Sequence, residues 1–254
     1  MSLIADPLFY LAAIPAVVLL GLGKGGFTGI GMVSTPMLAL ILPPLEAAAI
    51  LLPILLMQDA MSVWIYRRVW DPWNLKVMLP GCVLGVGAAW LLAAHVSNGA
   101  IRLVVGLIAL GFVAYSLFRR YLPGETKKPR ASHGVVWGAM SGFTTTLIQI
   151  GAPPYFAFVL PQRLPKMVYV GTTVMFFAAA NVMKVAPYFA LGQFSTAGLL
   201  TSVALFPLAI ASNAAGIYLV RITPESMFYS ITNLLVFAMG CELTRQGLTE
   251  LLWH

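Results

Sequence analysis

From Pro7 to Leu42 the chain carries a single charge, Lys24. A bilayer crossing takes about 20 apolar residues, so this stretch is long enough for nearly two. Comparable runs follow along the whole chain. Soluble domains carry roughly 25% charged residues; here the figure is 9%, against 60% hydrophobic and a mean hydropathy of +0.90. An aqueous core of 254 residues cannot bury that much apolar side chain. A transmembrane barrel would show alternating segments of about ten residues, and these runs do not alternate. The fold class is an all-α polytopic membrane protein.

Full-length spans are predicted at Glu46–Tyr66, Asn74–His95, Ile101–Phe118, Met167–Leu191, Thr196–Val220 and Pro224–Leu243. Two regions are longer and broken: Pro7–Leu42 by a glycine run, and Gly134–Gln162 by Gly151-Ala152-Pro153-Pro154. Each reads as a helical hairpin that either crosses twice or enters and leaves on one side. Either way the chain returns to its starting side.

The basic residues sort by side. One set of loops holds Arg67, Arg68, Lys76, Arg119, Arg120, Lys127, Lys128, Arg130, Arg163, Lys166 and Arg221; the other holds Arg102 and Arg245. By the positive-inside rule the rich side is cytoplasmic, which puts both termini in the periplasm of a bacterial inner membrane. The net charge of +7 is thus a topology signal, and no nucleic-acid partner is expected. The first apolar run has no basic stretch before it and is not read as a cleaved signal.

The glycine run, Gly21-Leu22-Gly23-Lys24-Gly25-Gly26-Phe27-Thr28-Gly29-Ile30-Gly31, has an echo in Gly138-Ala139-Met140-Ser141-Gly142-Phe143-Thr144. Gly26-Phe27-Thr28 and Gly142-Phe143-Thr144 stand 116 residues apart (142 minus 26). In the same order, Leu42-Pro43 matches Leu160-Pro161, Asp59 matches Asn181, and Tyr66 matches Tyr188. Each half then holds a broken hairpin and three transmembrane helices, a net odd number of crossings, so the halves are inverted. The predicted division is repeat one 1–120, a basic cytoplasmic linker Tyr121–Ser132, and repeat two 133–254. Inverted repeats with broken helices are a common transporter plan, with the substrate site at midplane.

Charges inside apolar spans cost several kcal/mol and mark candidate sites. Lys24 precedes Gly25-Gly26, where a new helix would start; its bare amides, the dipole and the Thr28 hydroxyl would then favour an anion. The alternative is a lysine reaching the interface beside glycines that serve packing. Lys184 shares a helix face with Asn181, and it too is either a ligand or an interfacial lysine. Asp59, with Gln58 beside it, is a counter-ion to a lysine, a proton carrier, or an interfacial accident. Gln149 and Gly151 at the second break either meet the ligand or serve helix packing.

Other chemistries fit poorly. His95, His133 and His254 are scattered, and Cys82 and Cys241 sit alone in apolar spans, so no metal site is expected. There is no phosphate loop followed by Lys-Ser/Thr, and no cofactor is expected. Ser141-Gly142 lacks the glycine two residues earlier that an intramembrane serine protease loop would carry, and no histidine in a later span serves as base. An enzyme is therefore not the expected class.

The glycine-lysine run, Pro36 and Pro43-Pro44 after it, Asp59, and Gly142-Phe143-Thr144 through Gly151-Ala152-Pro153-Pro154 together resemble the TauE/SafE sulfite-exporter family over essentially the whole chain. The resemblance implies an inner-membrane protein that moves small anions such as sulfite, sulfoacetate or related sulfonates, usually outward. The residues lead the same way: two lysines and one carboxylate suit a small oxyanion better than a cation. The expected function is a secondary transporter, an exporter working by alternating access, with proton coupling through Asp59 as an option. A passive anion channel is the alternative, and an intramembrane enzyme a distant third. The expected partners are the anion and membrane lipid, with monomer and homodimer both open.

Overall fold

The computed structural model describes residues 4, 6–27, 31, 34–38, 41–42, 44–92, 97–119 and 129–252. Thr28, Pro43, His95, Arg120, Lys127, Lys128, His254 and the linker up to residue 128 lie outside them, as does the side chain of Pro36.

The regular elements among the described residues are all helical, in the order α1 Pro7–Gly25, α2 Ser34–Leu38, α3 Pro44–Tyr66, α4 Pro72–Leu92, α5 Asn98–Arg119, α6 Ala131–Ile148, α7 Ala152–Val159, a single 3₁₀ turn Leu160–Gln162, α8 Lys166–Ala190, α9 Thr196–Ala204, α10 Phe206–Ile222 and α11 Glu225–Leu252. Among them, α1, Glu46–Tyr66 of α3, α4, α8 and α11 are each long and apolar enough to cross a membrane. The pair α9–α10 makes a sixth if taken as one bent span. Helices suit this solvent because lipid offers no partners to backbone N–H and C=O groups. Large apolar side chains such as Leu11, Phe189 and Leu252 remain more than 75% exposed, as a lipid-facing surface requires.

The first part of the glycine run, up to Gly26, is a helix end, and three expectations need correction. Helix α1 continues through Lys24 and Gly25 and closes at Gly26, whose N–H bonds the Gly23 and Leu22 carbonyls and whose φ of 147° turns the chain out of the helix. Glycine reaches that backbone freely, which is why it ends helices. The single span expected at Thr196–Val220 is two helices meeting at Leu205 with a 49° bend. Pro207, in the first turn of α10, has no N–H to continue the ladder. The second break is Gln149-Ile150-Gly151, and Ala152-Pro153-Pro154 form the first turn of α7, where proline is well tolerated. In addition, α11 runs to Leu252, nine residues beyond the expected Leu243 (252 minus 243).

The chain divides into two compact units, Met1–Val69 with Thr173–Pro224, and Trp70–Thr172 with Glu225–His254. Each unit draws on both halves of the sequence, and α8 passes from one to the other at Thr172.

In the first unit α1 packs on α10. A Cβ on Gly21 would fall 2.0 Å from Ser212 Oγ, and one on Gly25 would fall 2.4 Å from the Gly216 carbonyl carbon. Small residues four apart let two backbones approach this closely. Along the adjoining side of α1, Phe9, Ala13, Val17 and Leu20 join Leu38, Ile50, Leu51, Ile54, Leu55 and Ala209 in a buried core.

In the second unit α4 packs on α6 by the same device. Gly81 and Gly85 meet the Val135 and Ala139 carbonyls, while Gly138 and Gly142 meet those of Met78 and Cys82. Helices α5 and α11 pair alongside, joined by an Arg102–Glu250 ion pair.

Candidate functional site

Helix α3 carries four polar residues within two and a half turns: Gln58, Asp59, Ser62 and Tyr66. Their spacing turns them toward one side of the helix, where α1, α8 and α10 of the same unit supply partners.

Asp59 is the centre of this site. Its side chain is 4% exposed. Lys24 Nζ donates to Oδ1 at 2.6 Å, and Asn181 Nδ2 donates to Oδ2 at 2.6 Å. Each carboxylate oxygen therefore holds one short donor. The Phe177 ring centroid lies 6.0 Å from Lys24 Nζ, at the outer limit of a cation–π contact. A buried charge is tolerated when paired and hydrogen-bonded, and this pair meets both conditions.

The backbone around Lys24 is closed separately. The last carbonyls of a helix have no partner within it. Ser62 Oγ donates to the Lys24 carbonyl at 3.4 Å, and Tyr66 Oη donates to that of Gly25 at 3.2 Å. Helix α3 thus satisfies the open end of α1 with two hydroxyls. Asn213 of α10 donates to the Gln58 carbonyl and to Ser62 Oγ, both at 3.0 Å.

Gln58 is fully buried and donates to the Ala209 carbonyl at 3.2 Å, leaving its Oε1 without a hydrogen-bond partner. Lys184 is also fully buried, one turn beyond Asn181 on α8.

Lys24, Asp59 and Asn181 are thus brought into direct contact, with Gln58 and Gly25 beside them, and Gly26 closes α1. Thr28 lies outside the described residues. Gln149 and Gly151 belong to the second unit: Gln149 caps α6 in a left-handed conformation (φ 58°), and Gly151 precedes α7, its carbonyl accepting from Ser141 Oγ at 2.7 Å.

The expected chemistry shifts in one respect. Lys24 sits in the last turn of α1, at the negative end of that helix's dipole. In α7, Pro153 and Pro154 have no N–H, and that of Tyr155 already bonds the Gly151 carbonyl. Lys24 and Asn181 are the side-chain N–H donors gathered at Asp59.

Ser62, Tyr66, Asn213 and Phe177 escaped the sequence reading. Helical spacing from Asp59 was signal enough for Ser62 and Tyr66. Asn213 announces itself only as an amide within an apolar run.

A family model described as sulfite exporter TauE/SafE matches residues 13–243. No curated protein and no solved structure matches significantly. With nearly its whole length covered by that one model, the chain belongs to the TauE/SafE sulfite exporter family, a family of membrane transporters.

Proposed function

We propose that this protein is a secondary transporter that exports a small oxyanion, such as sulfite, sulfoacetate or another organosulfonate, across the bacterial inner membrane. The family supports transport of sulfite-like anions. The observation that carries the rest is the buried cluster of Lys24, Asp59 and Asn181. A lysine and a carboxylate inside apolar helices are costly, and the cluster offers two N–H donors to two oxygens joined through one atom. An oxyanion presents the same pattern.

Alternating access between inverted repeats is the motion we propose. The pairing of helices supports it. Helix α1 opens the first half and packs on α10 of the second; α6 opens the second half and packs on α4 of the first. The last helices of the halves, α5 and α11, pair with each other. Asp59 and Asn181, which correspond in the two repeats, touch. Exchange of partners with self-pairing at corresponding positions is what a two-fold relation between halves would produce.

Anion flux into liposomes tests the reading. Lys24→Gln and Lys24→Ala are each expected to lower sulfite and sulfonate flux at least tenfold, an effect of about 1.4 kcal/mol on the rate. Undiminished flux in both removes Lys24 from the site. Saturable uptake with counterflow marks a carrier, whereas steady single-channel current would mark a passive channel instead.

A further inference from the structure

We propose that Asp59 is the built-in occupant of the anion site: substrate and Asp59 compete for Lys24 and Asn181, and the exchange requires one proton for each anion bound. The proposal rests on the transporter reading above and specifies how its site is coupled.

The donations that Lys24 and Asn181 make to Asp59, at 2.6 Å each, are those an oxyanion bound in its place would take. An anion that binds there must therefore displace the carboxylate. A displaced carboxylate would be buried and unpaired beside a second negative charge, a doubly unfavourable state. Protonation removes the conflict. The proton goes to a carboxylate oxygen of Asp59, Lys24 stays an ammonium, and its hydrogen bond passes to the anion. Asn181 can serve both states, since Nδ2 donates to a carboxylate while Oδ1, with the amide turned over, accepts from the acid. The charge of the site is unchanged by the exchange, so anion and proton move together.

The other ionisable groups of this unit do not supply a rival base at Asp59. Helix α1 carries Lys24 and, at its far end, Tyr10; α8 carries Lys184 and Tyr188; α10 carries Tyr218 and Arg221; α3 itself carries Glu46 and Tyr66. Helices α2 and α9 carry none, and the flanking segments add Asp6, which caps the far N-terminal end of α1, and Arg67 and Arg68 after α3. Glu46, the other carboxylate on these elements, lies in the first turn of α3, more than three turns before Asp59.

The test is calorimetric binding to the full-length protein in nanodiscs. The probe is methanesulfonate, whose charge does not change over the range, with sulfite measured alongside. For the wild type, affinity should rise about tenfold for each unit of pH lowered across part of the range from about 8 to 5, and about one proton should be taken up per anion in weak buffer. Asp59→Asn should bind without pH dependence, and about tenfold or more tighter than wild type at about pH 8. A purely structural Asp59 would not give tighter binding on its removal. Should the variant fail to fold, the proton count on the wild type decides alone.

Flat affinity without proton uptake, or weaker binding in folded Asp59→Asn, overturns the proposal. If such flat binding is nonetheless lost in Lys24→Gln, the anion site stands and only the competition by Asp59 falls. If the wild type binds neither anion at any pH, both readings fall together.

Discussion

Tyr66 and Ser62 act on Lys24 without touching its charge. By bonding the carbonyls that α1 leaves open, they fix where its last turn ends and so where Nζ can reach. Tyr66→Phe removes one such bond and is expected to cost about 1 kcal/mol of stability, measured by thermal unfolding in detergent, with a modest loss of flux. Asn213→Leu is the harsher change. It strips Ser62 Oγ of a buried partner and should cost about 1–3 kcal/mol. Lys24, Asp59 and Asn181 were legible from sequence because charge and amide stand out in apolar spans and their offset repeats. Helical spacing from Asp59 puts Ser62 and Tyr66 on its side of α3, but a hydroxyl is ordinary in a membrane helix, and its role comes from the helix end it meets.

At the scale of elements, most helices follow from hydropathy and length alone, and the spans expected at Glu46–Tyr66 and Met167–Leu191 differ from the observed helices by at most two residues at either end. Polarity of direction did not follow. A glycine run marks a discontinuity equally well as an end or a start, and the φ of Gly26 marks where α1 ends. Proline was no better guide to the bend at Leu205. Pro15, Pro53, Pro80 and Pro187 all lie inside continuous helices, where membrane neighbours re-satisfy the freed carbonyls. The close helix pairs give a direct prediction. In Gly85→Val the new side chain would begin 2.0 Å from the Ala139 carbonyl oxygen, so the backbones must part. A loss of about 3 kcal/mol or more is expected, visible as a lowered unfolding temperature or loss of monodisperse protein on gel filtration.

At the scale of the molecule, the positive-inside rule predicts the basic loops on the cytoplasmic side and both termini in the periplasm. Alkaline phosphatase fused after the last residue should be active, and the same reporter inserted in the 121–128 linker inactive. The reverse pattern would invert the assignment. The compact units are a division that the sequence halves do not reveal, because hydropathy reports which segments enter the membrane and is silent on which pack together. The exchange of partners also has a consequence for biogenesis. Ser212 Oγ of α10 bonds the Val17 carbonyl of α1, 195 residues earlier. As the chain leaves the ribosome, α1 enters the bilayer well before α10 and must wait there, its glycine face covered by lipid or by the insertion machinery, until the intervening helices have been made.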